Sequence, residues 1–167
     1  SLQAAAPVER GSGATASGTG TAVSVTVSGL SIQSGDVCVE MVHANTNGIT
    51  IVDNNGATPF TDVLIENTPA TGGSSTHEIG RRGAGASEPA SYAWTLGSIQ
   101  TWTVIVRCWS GVHADIWDVT PSASTRTGSS SDGTTATAPT MSVATADALG
   151  IVLVYTDGNV TYSGVTN

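Results

Sequence analysis

All four tryptophans of this chain lie between Ser87 and Val119, in a sequence that otherwise has one phenylalanine and three tyrosines. Large aromatic side chains supply most of the buried area per residue in a core or an interface. The core should therefore form where these rings are. Two strand-like runs occupy this stretch, Ser87 to Leu96 and Thr101 to Trp109, joined by the short polar connection Gly97-Ser98-Ile99-Gln100. The reading is a central hairpin. Within the second run, alternation places Trp102, Val104, Val106 and Cys108 on one face, and Thr103, Ile105, Arg107 and Trp109 on the other. Core packing is the first reading of these rings. Trp102 and Trp109 cannot share a face, however, so Trp109 is the candidate exposed ring, for a protein interface or for stacking on a sugar.

The rest of the chain has the same period of two. Val23, Val25 and Val27 alternate with Ser24, Thr26 and Ser28. After Gly35-Asp36, a second strand puts Val37, Val39 and Met41 on one face, with Cys38, Glu40 and Val42 on the other. Ile49 to Val52 is a third strand, and Asp53-Asn54-Asn55-Gly56 turns the chain into a return strand, Phe60 to Ile65. His77 to Arg82, Thr134 to Ala138, Thr140 to Val143, Leu149 to Tyr155 and Val160 to Tyr162 follow as further strands. No stretch sustains a period of 3.6. About ten short strands separated by turn signals predict an all-β fold with antiparallel pairing, a single sandwich.

Residues 1–20 differ in composition. The tract from Gly11 to Gly20 contains only Gly, Ser, Thr and Ala, a mixture with too little apolar surface to offset its own ordering entropy. It reads as an extended arm preceding a sandwich domain at 21–167. The arm is ordered either by the body of its own domain or, the preferred reading, by a partner. Leu2, Pro7, Val8 and Arg10 are the residues of the arm with which it would hold a partner.

Composition excludes several functions. The formal net charge is −8 and charged residues make up 11%, so an electrostatic grip on nucleic acid or on an anionic membrane is not expected. There is no lysine, which removes Schiff-base chemistry, a P-loop lysine and lysine isopeptide crosslinks. The N-terminus shows no secretory signal and the chain no apolar membrane span, which suggests synthesis in a host cytoplasm. Cys38 and Cys108 each sit in an apolar run and read first as buried thiols, with a disulfide between neighbouring strands as the alternative.

No catalytic or metal constellation emerges. Asp53-Asn54-Asn55-Gly56 lacks the ligand spacing of a calcium loop and reads as a turn. His43, His77, His113 and Asp115 do not have the spacing of zinc ligands, and Glu88, Asp115 and Asp118 make no positioned pair for glycoside hydrolysis. Asn159-Val160-Thr161 is a glycosylation sequon that matters only if the chain is secreted. The expectation is a protein that is not an enzyme and that uses no cofactor.

Ala86 to Leu96, followed by the strand ending Trp109-Ser110-Gly111-Val112, resembles a β-sandwich domain family of phage structural, decoration and tail-fibre proteins that also occurs in bacterial surface proteins. Asp53-Asn54-Asn55-Gly56 leading to Phe60 is similar to that family's turn into an aromatic strand. Ala138 to Val143 with Ala146 to Gly150 looks like its late strand pair. The resemblance implies a jelly-roll-like sandwich and non-enzymatic work on a virion or cell surface. The expected function is a capsid decoration (cement) protein on the outer shell, with the major capsid protein and neighbouring copies of itself as partners. Trimeric association is what the resemblance implies. The alternative is a carbohydrate- or receptor-binding module of a tail fibre or adhesin.

Overall fold

The computed structural model describes residues 7–68, 74–112 and 151. They form seven strands: β1 (Val8–Glu9), β2 (Ala14–Thr26), β3 (Val37–Ala44), β4 (Ile51–Asp53), β5 (Thr61–Thr68), β6 (Ser75–Gly83) and β7 (Ser91–Ser110). All belong to one antiparallel sheet, with a single turn of 3-10 helix at Ser28–Leu30. The all-β, antiparallel expectation holds at that level. The late strands read in the sequence, from Thr134 onward, lie outside the described residues.

The tryptophan-rich stretch is not a hairpin. β7 runs unbroken through Gly97-Ser98-Ile99-Gln100 for 20 residues. β2 pairs with both of its halves in one direction, Ala14 to Gly20 with Val106 to Gln100 and Ala22 to Thr26 with Thr95 to Ser91. Two arms of a hairpin run in opposite directions and could not both be antiparallel to one strand. The polar connection instead marks an irregularity. Between Gly20 and Ala22 the register jumps, leaving Leu96 to Ile99 of β7 without partners on β2. The opposite edge of β7 pairs with β3 along Trp102 to Trp109 and with β4 along Trp94 to Leu96.

That irregularity is where the sheet doubles back. A straight strand rises about 3.3 Å per residue, so Tyr92 should stand roughly 50 Å from the level of Cys108. Arg82, which shares a row with Cys38 and Cys108, nevertheless places its guanidinium carbon 4.9 Å from the centre of the Tyr92 ring. The two halves of β7 therefore face each other across the core. Val23, Val25, Tyr92, Trp94 and Leu96 line one side, and Cys38, Val42, Trp102, Val104, Val106 and Cys108 the other. Phe60 closes between them, edge-on to Tyr92 at 5.1 Å.

The Gly/Ser/Thr/Ala tract is the first half of β2, so the expected boundary at residue 20 falls inside a strand. Of the two agents that could order it, the structure shows the chain's own body. Ala14 and Ala16 face inward and pack on the core, with Thr15, Ser17 and Thr19 outward. Gly18 lies opposite Trp102, and a Cβ at this position would stand 2.7 Å from indole Cζ2. The small residues are thus the surface on which Trp102 lies. Gly18→Val should destabilise the fold by about 1–3 kcal/mol, since a rigid indole cannot give way within a packed core; urea unfolding followed by tryptophan fluorescence measures it.

Cys38 and Cys108 are opposite each other in β3 and β7 and are joined in a disulfide, so the reading of two buried thiols is corrected. Both are fully buried. The bond spans a sequence separation of 70 residues. Loop-closure entropy puts its effect on the unfolded chain at about 4 kcal/mol. Replacing both cysteines with serine should lower the unfolding free energy by up to that amount, and reductant should then have no further effect on the variant.

Candidate functional site

The residues with chemical potential are mostly engaged inside the chain, and the N-terminal segment shows this first. Its backbone is tied to β7 by the pairs Val8 with Ser110 and Glu9 with Trp109, and by the Arg10 N–H donating to the Cys108 carbonyl at 2.7 Å. Two ion pairs fasten it from opposite faces. Arg107 Nη1 donates to Glu9 Oε1 at 2.7 Å, and Arg10 grips Asp36 with Nε on Oδ2 at 2.8 Å and Nη2 on Oδ1 at 3.0 Å. The Gln33 N–H adds a third bond to the same carboxylate, at 2.8 Å. Arg10, expected to reach a partner, is instead the clamp that holds this segment to the start of β3. Pro7 is half-buried, whereas Val8 is 60% exposed. Leu2 lies outside the described residues.

Asp36 is itself 2% exposed. Burial alone would raise its carboxyl, but the hydrogen bond from Arg10, the Gln33 N–H and the guanidinium charge together hold it below the usual carboxylate range. Arg10 is raised in turn, chiefly by that hydrogen bond.

A second buried group stands where β6 ends. Arg82 Nη2 meets Glu88 Oε2 at 2.8 Å, with both side chains almost fully enclosed. The Tyr92 hydroxyl donates to the same oxygen at 2.7 Å, and the Gly85 N–H donates to the other at 2.6 Å. Burial first, then the Glu88 hydrogen bond and charge, push the Tyr92 phenol well above its ordinary value. Glu88 is therefore a structural counter-ion. Nearby, Glu40 is fully buried opposite Gly80, and a Cβ at Gly80 would stand 2.5 Å from Glu40 Oε1 and 2.9 Å from Phe60 Cβ. An open cleft of 410 Å³ adjoins this end of the sheet, between the starts of β3 and β5 and the end of β6, with Asp36, Pro59, Arg81 and Arg82 in its walls.

Asp53-Asn54-Asn55-Gly56 is a hydrogen-bonded turn, and the Asp53 carboxylate is occupied by protein donors. It accepts the Asn55 N–H at 2.7 Å, the Asn55 side-chain amide at 2.9 Å and the Phe60 N–H at 3.0 Å. Asn55 Oδ1 accepts from the Ala93 N–H at 2.8 Å, which pins the turn to β7. The strands it joins are not a hairpin, because β4 pairs with β7 and β5 with β6.

Trp109, the candidate exposed ring, is 7% exposed and thus presents no open face for a sugar. Alternation did separate it from Trp102, but its ring is covered all the same, and every residue of the neighbouring β3 is buried. His43 and His77, which lack the spacing of zinc ligands in the sequence, are in register across β3 and β6 with ring centroids 4.8 Å apart. The place of each beside or within a strand-like run was the available signal, but only pairing register could align them. His113, Asp115, Asp118 and Asn159 lie outside the described residues. Among the described residues no group of three or more His, Cys, Asp or Glu could hold a metal ion, and no helix is long and apolar enough to cross a membrane.

No family model, no curated protein and no solved structure matches the chain.

The clamp has a definite pH signature. Because the folded Asp36 carboxyl is held below its ordinary value of 3.8, its stabilising contribution is complete above that pH and is lost as pH falls through the folded value. Asp36→Asn should therefore unfold at lower urea than the parent at neutral pH, with the difference closing below pH 3.8.

Proposed function

We propose that this chain is a non-enzymatic structural protein of a phage virion, a decoration protein that binds the outer surface of the assembled capsid. In this reading its doubled-back sheet is a jelly-roll-like sandwich, its partners are the major capsid protein and neighbouring copies, and its copies associate as trimers. Binding only the assembled shell would stabilise that shell by mass action.

The observation that carries the reading is the way the N-terminal segment is presented. It is anchored at Glu9 and Arg10 yet shows Val8 to solvent at 60% exposure. The arm able to reach a shell is shorter than the sequence suggested, since β2 begins at Ala14. Two further features support the proposal. Asp36, Asp53 and Glu88 are engaged by protein donors, which suits a protein that binds rather than one that reacts. A buried disulfide suits a protein that works in oxidising surroundings, as virion surfaces do. The sugar-binding alternative loses its main support with the burial of Trp109.

Removal of residues 1–8 tests the arm while leaving the Arg10 clamp and β2 in place. The truncated chain should keep its β-sheet circular dichroism and lose co-sedimentation with capsid shells. Full occupancy of shells by the truncated chain would overturn the arm mechanism. Co-sedimentation of the intact protein with tails rather than heads would overturn the decoration reading itself.

A further inference from the structure

The sheet is held together unevenly, and one of its seams carries a pair of histidines. β7 is joined to β2 and to β3, and β3 is tied to it again through the disulfide. β6, by contrast, reaches the rest of the sheet through β3, and β5 is paired with β6. Among the described residues, the β3–β6 seam is therefore the sheet connection by which the β5–β6 hairpin is attached.

His43 and His77 face each other across that seam, with their rings 4.8 Å apart and tilted by 54°. His43 is 1% exposed. Thr103 of β7 lies opposite His43 on its other side, and Glu66 of β5 lies opposite His77. One step along the same face come Met41, Ile79 and Ile105, in register with one another. Beyond them stand Val39, Arg81 and Arg107. The charged groups on this face among the described strands are thus the Glu66 carboxylate beside His77, the Arg81 and Arg107 guanidiniums two steps from the histidines, and the Glu9 carboxylate that pairs with Arg107.

This arrangement accepts two neutral imidazoles and resists two charged ones. Protonation of His43 puts a cation at a site that is 1% exposed, and protonation of both sets it about 5 Å from the like charge of the half-buried His77. Burial lowers both histidines, and the His77 charge opposes that of His43, which is pushed down from 6.5 to about 3. Once the seam opens, the rings meet water and recover their ordinary affinity for protons.

We propose that the His43–His77 pair makes the β3–β6 seam an acid-released joint, at which the β5–β6 hairpin separates from β3 while β2, β3 and β7 stay together. The direction follows from linkage. The open form binds more protons than the closed one between pH 6.5 and about 3, so the closed seam is fully stable above pH 6.5 and weakens as pH falls below it.

Hydrogen exchange of the full chain, read by mass spectrometry and corrected for intrinsic rates, tests this between pH 6.5 and about 4. Protection in β5 and β6 should fall by about tenfold per pH unit for each histidine that charges on opening, while β2 and β7 remain protected. The double variant His43→Gln, His77→Gln should lose that slope. An unchanged slope in the double variant, or loss of β2 and β7 protection in step with β6, would refute the joint. Should the double variant fail to fold, NMR titration of the parent's imidazoles decides. Ordinary titration of His43 near pH 6.5 in the folded chain refutes the proposal, and a ring still neutral where β6 begins to exchange supports it.

Discussion

The fold depends on one strand being paired along both edges and bent in the middle. β7 takes β1 and β2 on one side and β3 and β4 on the other, so its backbone is paired along most of Ser91 to Ser110, with an interruption at Ser98–Ile99. Because β2 follows both halves, the bend cannot open without breaking a second strand as well. The bend brings Tyr92 over Arg82 and Phe60 against Tyr92, and these contacts exist only because the two halves face each other. Cys38–Cys108 then fixes the register of β3 at the end away from the bend.

A core assembled in this way encloses polar groups as well as apolar ones. Asp36, Glu40, His43, Glu78 and Arg82 are all buried. Such groups are costly without partners, and breaking a buried pair costs more than the pair itself contributes. They act as constraints. Arg82 must reach Glu88 and Arg10 must reach Asp36, which fixes how the loop before β7 and the N-terminal segment meet the sheet. The functional proposal follows from this division, with the interior committed to holding the sheet and the N-terminal end held at the surface where a larger assembly could take it.

The two histidines show the same principle in a different setting. A single buried imidazole is a modest liability, and two in register become a feature of the seam they occupy. Enclosure lowers the affinity of both for protons, the charge of His77 adds to it at His43, and neither effect is present in the unfolded chain.

Alternation in the sequence was enough to determine the inward set Val23, Val25, Val27, Trp102, Val104, Val106 and Cys108, because a period of two assigns faces locally. It also separated Trp102 from Trp109 and identified Asp53-Asn54-Asn55-Gly56 as a turn. The first half of β2 was legible too, as Ala14, Ala16 and Gly18 alternating with Thr15, Ser17 and Thr19, but low hydrophobicity obscured it. Only the tertiary structure decided whether Gly97–Gln100 turns or continues, since that depends on β2 spanning both halves of β7. It alone decided that Trp109 is covered, that the cysteines are bonded, that Arg10 clamps Asp36 and that His43 meets His77. Each is a matter of which strand lies beside which, and a side-chain period carries no information about its neighbour.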